Sequence, residues 1–164
     1  MIRLCTMDDA ATIYEIINDA ASAYKGTIPE DRYREPYMPV EELEAEIADG
    51  VLFWGVERNG SLVGVMGIQD KGEVALIRHA YVRTTERNGG IGTLLLSHLM
   101  GQTEKPVLIG TWEAAEWAIR FYQKNGFALV SPDEKRNLLQ RFWNVPERQI
   151  ETSVVLCDSR WSAK

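Results

Sequence analysis

A glycine-rich segment between a strand pattern and a helix pattern holds the residues most suited to chemistry. It reads Arg87-Asn88-Gly89-Gly90-Ile91-Gly92-Thr93. Glycine has no Cβ, so the backbone of such a segment can approach a ligand closely. The first amides of a helix lack an intrahelical acceptor and carry partial positive charge, and they bind phosphate groups. The segment therefore predicts a phosphate site; the alternative is a tight turn without a ligand.

Two common phosphate-binding motifs are absent from the chain. Gly-x-x-x-x-Gly-Lys-Ser/Thr does not occur, which argues against a nucleotide triphosphatase loop. The dinucleotide fingerprint Gly-x-Gly-x-x-Gly follows the first strand of a parallel βαβ unit, whereas this loop follows three predicted antiparallel strands. The pattern present is Arg-x-x-Gly-x-Gly, from Arg87 to Gly92.

The surrounding pattern predicts an α+β fold in which the loop joins a strand to a helix. Asn59-Gly60 between two alternating apolar runs is a strong hairpin signal. Hairpins mixed with strand–helix–strand units imply a mixed sheet, in a single domain over residues 1–164. The predicted strands are 2–5, 52–57, 62–68, 73–82, 107–110, 127–130 and 152–157, and the predicted helical segments are 7–25, 40–49, 93–100, 113–125 and 134–143.

A second motif lies about 30 residues after the loop, where residues 118–127 read Ala-Ile-Arg-Phe-Tyr-Gln-Lys-Asn-Gly-Phe. Together with the loop and the strand end Ala80-Tyr81-Val82, this order resembles the GNAT superfamily of acetyl-CoA-dependent N-acetyltransferases. The resemblance spans Ile2 to Cys157. It implies a central, mostly antiparallel mixed sheet flanked by helices in three layers, with the cofactor in a splay between central strands.

The resemblance implies that the loop binds acetyl-CoA, the co-substrate. Backbone amides from Asn88 to Thr93 would hold the pyrophosphate and Arg87 would add a charged contact. The strand end would offer main-chain groups to the pantetheine arm, as an added strand does. The chain departs from the family at Ala115, where many members carry asparagine, and Trp112 or Glu113 could replace that contact. The implied cofactor-binding residues are Ala80, Tyr81, Val82, Arg87, Asn88, Gly89, Gly90, Ile91, Gly92 and Thr93.

Acetyl transfer needs a neutral amine and a proton for the departing thiolate. An amine with a pKa near 10 is about 0.1% neutral at pH 7, a penalty of roughly 4 kcal/mol. Tyr122 matches the family tyrosine that protonates the thiolate; the alternative is a core aromatic beside Phe121. His79 and Glu73 are candidate bases, although either could be structural, and a water relay without a single base is equally open. A main-chain amide near Tyr81 is expected to hold the oxyanion.

Residues 24–39 would shape the acceptor groove, by the same resemblance. Their aromatic and acidic side chains could hold an ammonium by cation–π contact and charge; a solvated loop packed by its aromatics is the equal alternative. Trp143, Trp161 and the basic run 136–141 would instead favour an acceptor with a carboxylate or phosphate. The candidate substrate-binding residues are Tyr33, Tyr37 and Glu30.

Composition narrows the class of protein. Lys and Arg number 18 against 24 Asp and Glu, a net charge of −6 that argues against a nucleic-acid partner. No apolar stretch reaches 18 residues and the N-terminus does not read as a signal peptide, so we expect no membrane partner and a cytoplasmic location. The two cysteines, Cys5 and Cys157, predict buried apolar positions and no disulfide framework. With only two histidines, no metal site is expected.

Charge is also unevenly distributed. Residues 1–50 carry 12 acids and 4 bases, net −8, whereas residues 51–164 carry 12 acids and 14 bases, net +2. This division suits a cationic acceptor on the acidic side and an anionic cofactor on the other.

The resulting hypothesis is acetyl transfer from acetyl-CoA to a primary amine of a small-molecule or amino-acid-like acceptor, by direct attack in a ternary complex. The alternatives are a protein N-terminal or lysine acetyltransferase and a non-catalytic acyl-CoA-binding regulatory module. A homodimer is one expected arrangement.

Overall fold

A tight hairpin at Asn59-Gly60 organises the first strands of the fold. Both residues have positive φ, 53° and 78°, which a two-residue hairpin turn of this type requires. The turn joins β2 (Leu52–Arg58) to β3 (Ser61–Asp70), and the two strands pair antiparallel. β1 (Ile2–Leu4) pairs antiparallel with the other edge of β2. The hairpin that the Asn-Gly signal predicts is therefore confirmed.

The other elements follow in the predicted order. This computed structural model describes residues 1–161. Within them the strands are ordered β1-β2-β3-β4-β5-β7-β6 in one sheet. The remaining elements are α1 (Ala10–Ala20), α2 (Val40–Ala48), β4 (Ala75–Val82), α3 (Ile91–Met100), β5 (Val107–Trp112), α4 (Glu116–Lys124), β6 (Ala128–Leu129), α5 (Pro132–Leu138), α6 (Glu147–Glu151) and β7 (Ser153–Cys157).

The chain divides into two compact units. Unit 1 comprises Met1–Ala23, Arg34–Asp70 and Ile77–Glu104, and unit 2 comprises Tyr24–Tyr33, Lys71–Leu76 and Lys105–Lys164. Unit 1 thus contains β1 to β3, most of β4 and the helices α1 to α3. Unit 2 contains the start of β4, the other strands and α4 to α6. That residues 1–164 form one domain stays a prediction from the sequence.

Each unit has its own apolar core. In unit 1, Ile13, Ile16 and Ile17 recur at helical spacing along α1 and are at most 1% exposed. They pack with Leu43 of α2 and with inward-facing residues of β2 and β3. In unit 2, the core residues of α5 and the π-helical turn that follows it pack with β5 and β7: Leu138, Leu139, Phe142, Leu108 and Val155.

The α+β prediction is confirmed, and the structure corrects several boundaries. β4 begins at Ala75 rather than at residue 73, because the amide of Lys71 bonds to the carbonyl of Val74 and closes a turn there (2.9 Å). The predicted helix over 134–143 is α5 followed by a π-helical turn, Leu139–Trp143. α6 is missing from the prediction because it has five residues and only Ile150 is buried, so no periodicity shows.

The cysteines and the helices can be compared with what the composition predicts. Cys5 and Cys157 are half-buried rather than fully buried. Burial raises the pKa of the Cys5 thiol to about 11, so it stays protonated at neutral pH. Within residues 1–161, no helix is both long and apolar enough to cross a membrane.

An ion pair closes the N-terminal turn before α1. The Asp9 carboxylate accepts two hydrogen bonds from the Arg3 guanidinium, at 2.8 and 2.9 Å, and one from the Thr6 amide at 2.7 Å. The Arg3 bond first, and then the Thr6 bond, lower the pKa of Asp9 to about 2. A carboxylate with a lowered pKa stabilises the folded state above its unfolded pKa of about 4, and that contribution disappears as the pH falls to the folded value.

We therefore expect Asp9→Asn to destabilise the fold at pH 7 by about 1 kcal/mol, after allowance for solvent screening. The melting temperature should fall by roughly 2–4 °C, and the difference from the natural chain should shrink between about pH 4 and pH 2. Asp8→Asn, on the exposed neighbouring residue, is the control. The measurement is thermal unfolding of the natural chain and both variants across this pH range. A difference in melting temperature between Asp9→Asn and the natural chain that does not change with pH would contradict the ion-pair explanation.

Candidate active site

The glycine loop ends in a helix start without a cap. α3 begins at Ile91, and its N-cap is Gly90, in the left-handed conformation with φ 79° and no side-chain hydrogen bond to the helix. Asn88 is also left-handed, with φ 66°. A Cβ on Gly90 would meet nothing within 4 Å, so the backbone angle and not crowding requires glycine here. The first amides of α3 have no acceptor within the helix, and they are available to an anion.

The helix start is held against the sheet. Ile91 is 1% exposed, whereas Arg87 to Gly90 are exposed. Gly64 of β3 makes room for Ile91, because a Cβ there would lie 2.7 Å from Ile91 Cγ2. The loop therefore presents its backbone outward from a fixed support.

Two side chains missed by sequence reasoning act on the loop. Asp19, near the end of α1, accepts hydrogen bonds from Thr84 N at 2.8 Å and Thr84 Oγ1 at 3.2 Å. Arg58 Nη1 lies 3.8 Å from the position of a Cβ on Gly89 and 3.9 Å from Glu86 Oε2. Arg87, the expected cation, makes a 3.4 Å contact with the Ala20 carbonyl. Neither Asp19 nor Arg58 is close to the loop in sequence, so no local motif marks them.

The end of β4 is anchored to β3. The Arg83 amide donates to the Val63 carbonyl at 2.8 Å, and Arg83 Nε donates to the Leu62 carbonyl at 2.9 Å. The residues near this strand end are half-buried: Ala80, Tyr81 and Val82. Tyr81 packs against the unit 1 core. The strand end is thus rigid up to the residue before the loop turn.

His79 lies in β4 with an unusual backbone. Its φ is +56°, a conformation that costs a non-glycine residue about 1–3 kcal/mol. Its ring stacks on Phe53 with centroids 6.1 Å apart, and its Nε2 contacts Glu46 Oε2. Strain of this kind persists where surrounding contacts determine the position, and such residues cluster at functional sites.

Tyr122 is a buried residue of α4. It is 7% exposed and makes edge contacts with Phe121 and Phe127, at centroid distances of 5.2 and 6.1 Å. Burial alone raises the pKa of its phenol, so the hydroxyl stays protonated. No residue in the described part of the chain hydrogen-bonds to it. Ala115, at the family's asparagine position, is the fully buried N-cap of α4.

Glu73 has a different setting from the other catalytic candidates. It lies in the turn before β4, its side chain is 53% exposed, and its Oε2 is 2.6 Å from Arg141 Nη2. Arg141 therefore already engages this carboxylate at the protein surface. The geometry favours a structural ion pair here.

The acceptor candidates are divided between the two units. Glu30 and Tyr33 belong to unit 2, and Tyr37 belongs to unit 1. Beside Glu30, Asp31 forms an ion pair with Arg148 at 2.9 and 3.2 Å, and the Arg148 hydrogen bond lowers the pKa of Asp31. This pairing neutralises part of the acidic loop.

Comparisons with known proteins give the family. Residues 49–129 match the family model of the acetyltransferase (GNAT) domain. This segment runs from the residue before Gly50 through β2, β3, β4, the glycine loop and α3 to β6, and includes Tyr122. The comparison with curated proteins finds no match.

Solved structures of acetyltransferases share the fold. The paia N-acetyltransferase of Thermoplasma acidophilum, in complex with coenzyme A, is 19% identical with a TM-score of 0.73, covering 96% of this chain and 97% of that chain. The ribosomal-protein-S18-alanine N-acetyltransferase of Escherichia coli is 16% identical with a TM-score of 0.68, covering 100% and 96%. The N-acetylglutamate synthase of Neisseria gonorrhoeae, complexed with coenzyme A and N-acetyl-glutamate, is 20% identical with a TM-score of 0.66, covering 99% of this chain and 35% of that chain.

The matched segment contains the uncapped glycine loop. The chain belongs to the GNAT acetyltransferases and is an acyltransferase that depends on acetyl-CoA.

Proposed function

We propose that this chain acetylates a primary amine of a small-molecule or amino-acid-like acceptor, by direct attack in a ternary complex. The observation that carries the proposal is the buried phenol of Tyr122, which has no hydrogen-bonding partner among residues 1–161. Buried tyrosine hydroxyls ordinarily have a partner. A departing sulfur would supply one, and Tyr122 lies in the segment that matches the family's tyrosine motif.

The glycine loop is the proposed binding site for acetyl-CoA, the acetyl donor. The amides of Asn88 to Thr93 would bind the pyrophosphate, with Arg87 and Arg58 adding charge. A hydrogen bond to a charged group contributes roughly 1.5–3 kcal/mol. The main chain of Ala80, Tyr81 and Val82 would pair with the pantetheine arm, and an amide near Tyr81 would hold the oxyanion.

Acetyl-CoA supplies the thioester, whose carbonyl carbon forms a bond to the acceptor nitrogen as the carbon–sulfur bond breaks. Tyr122 donates its phenolic hydrogen to the departing sulfur. It recovers a proton that the acceptor nitrogen loses when the amide forms. Burial raises the pKa of the phenol, so the hydroxyl carries its hydrogen at neutral pH, as a proton donor must.

The other proton must leave the ammonium before attack. His79 suits this role better than Glu73, because the Glu73 carboxylate is engaged with Arg141 in an exposed ion pair. A histidine changes charge near neutral pH in ordinary settings. His79 therefore takes the ammonium proton and returns it to solvent.

The acceptor class has two candidates. Glu30, Tyr33 and Tyr37 supply charge and aromatic surface for an ammonium, and the −8 charge of residues 1–50 points the same way. One structural neighbour was crystallised with N-acetyl-glutamate, which favours an amino-acid acceptor. Another is a ribosomal-protein-S18-alanine N-acetyltransferase, so a protein N-terminus is the second candidate. We further propose a cytoplasmic location and a homodimer.

An acceptor panel tests the activity. We expect release of free thiol from acetyl-CoA with at least one of 1,4-diaminobutane, L-glutamate and a hexapeptide beginning with alanine, measured with a thiol reagent. Turnover with the diamine or glutamate supports the small-molecule acceptor, and turnover with the peptide alone favours the second candidate. Acetyl-CoA binding without release on any wider amine panel would indicate the regulatory module instead.

Tyr122→Phe tests the donor to sulfur. The phenylalanine ring keeps the packing with Phe121 and Phe127, so acetyl-CoA affinity should not change. Loss of the hydroxyl should lower kcat about 100-fold, the range of general acid catalysis. Tyr14→Phe, at a half-buried position of α1, should leave kcat within about twofold. An undiminished kcat in Tyr122→Phe would remove the residue from this role.

Gly90→Ala tests the loop. Alanine in the left-handed conformation costs about 1–2 kcal/mol. The free loop of the variant should therefore relax out of this conformation and must return to it on binding, so acetyl-CoA should bind roughly 5- to 30-fold more weakly by calorimetry. Gly101→Ala is the matched control, because Gly101 caps the other end of α3 with an ordinary φ of −79°. Equal affinities for both variants would contradict the loop assignment.

A further inference from the structure

A chain of buried polar contacts in unit 1 ends at His79. Gln69 of β3, which is 2% exposed, donates from Nε2 to the carbonyl and to Oδ2 of Asp49, both at 3.0 Å. Its Oε1 accepts from Arg78 Nη1 at 3.0 Å. Arg78 Nη2 in turn lies 2.8 Å from Glu46 Oε1, and Glu46 Oε2 contacts His79 Nε2. The contacts join α2, β3 and β4, and His79 is their last member.

Glu46 is held on both of its oxygens. Its side chain is 17% exposed, and each oxygen faces a different nitrogenous side chain. Burial acts to raise its pKa, but the hydrogen bond and charge of His79 and the charge of Arg78 outweigh burial, and the pKa is lowered. Glu46 is therefore an ionised carboxylate that faces the imidazole from within the fold.

His79 is fixed in orientation by two contacts and by its own backbone conformation. The stacked Phe53 ring sets the plane of the imidazole, the left-handed backbone sets its direction, and Glu46 holds Nε2. Nε2 and Glu46 Oε2 are both buried and lie against each other, and neither atom has a hydrogen-bond partner of regular geometry among residues 1–161. Nδ1 hydrogen-bonds to none of these residues, and the side chain keeps 15% of its surface exposed.

We propose that Glu46 is a positioning residue that holds His79 as the tautomer protonated on Nε2, so that Nδ1 accepts the proton of the acceptor ammonium. A carboxylate can only accept a hydrogen bond, so the shared proton lies on Nε2 and the lone pair lies on Nδ1. This inference rests on the proposed function and specifies which nitrogen of the proposed base accepts the proton.

The proton balance is simple. The ammonium loses one proton to Nδ1, and the imidazolium that forms is stabilised by the Glu46 carboxylate at Nε2. The neutral nitrogen then forms its bond to the thioester carbon, and the imidazolium releases its proton to solvent. Arg78, the neighbour of His79 in β4, is positively charged and repels the imidazolium. Phe53 of β2 is uncharged, and Asp49 contacts Gln69 rather than the imidazole. Glu46 is the one carboxylate among residues 1–161 in direct contact with the imidazole.

The tautomer can be measured without an acceptor. The chain has two histidines, so ¹⁵N-labelled imidazole spectra contain two spin systems, and a His98→Gln variant assigns them. We expect the neutral His79 of the natural chain to carry its proton on Nε2. Glu46→Gln should shift the proton to Nδ1, because the carboxamide nitrogen can donate to Nε2. A natural chain protonated on Nδ1 would overturn the proposal, even if Glu46→Gln fails to fold.

Kinetics provide the second readout, with whichever amine of the acceptor panel is turned over. Glu46→Gln should lower kcat about 100-fold with unchanged acetyl-CoA affinity. The pH profile of kcat should also differ from that of the natural chain, because the group that faces Nε2 no longer carries a charge. Glu42→Gln is the matched control: Glu42 lies one turn earlier on α2 and pairs with the exposed Arg34. It should change neither the kcat nor its pH profile.

The outcomes separate the two proposals. An unchanged kcat and an unchanged pH profile in Glu46→Gln overturn the positioning role while leaving acetyl transfer in place. If the natural chain acetylates no amine at all, the proposed function fails, and the tautomer measurement still decides whether Glu46 sets the state of His79.

Discussion

The site depends on one constraint: the first turn of α3 must be held rigidly while its amides stay unpaired. Helix starts usually satisfy these amides with a side-chain cap, but Gly90 offers none. The helix start keeps its position despite the missing cap, because Ile91 is buried beside Gly64 and because Asp19 hydrogen-bonds to Thr84 in the preceding turn. A rigid group of donors loses little entropy when an anion binds, which favours affinity. Arg58 and Arg87 add positive charge at the same place.

A second constraint is the buried carboxylate of Glu46. An ionised group is costly to bury unless it is paired and hydrogen-bonded. Arg78 and His79 occupy its two oxygens, and Gln69 links Arg78 to Asp49. The arrangement also holds His79 in a strained backbone conformation. Backbone strain and a buried charge both cost folding free energy, and proteins retain such features mainly at functional sites.

Much of the fold could be predicted from local patterns. The Asn59-Gly60 hairpin, the isoleucine stripe of α1 and the loop before α3 all depend on residues within a few positions of each other. The short α6 could not be predicted, since one buried residue makes no periodic pattern. Arg58, Asp19 and Glu46 were also beyond local reasoning, because each acts on a segment that is distant along the chain. The nearest signals were the polar Gln69 and the Arg78-His79 pair within otherwise apolar strands.

The sequence by itself determined the element order, the glycine loop and the chemical types available to the site, because these follow from spacing and backbone preference. It left His79, Glu73 and a water relay without a single base as open alternatives for removing the proton. Only the tertiary structure shows what faces the two side chains, on which the role of a carboxylate or imidazole depends. Glu73 faces Arg141 at the surface, and His79 faces a buried carboxylate with its other nitrogen unengaged among residues 1–161. Burial and pairing, which determine the chemistry of an ionisable group, are contained in no local pattern.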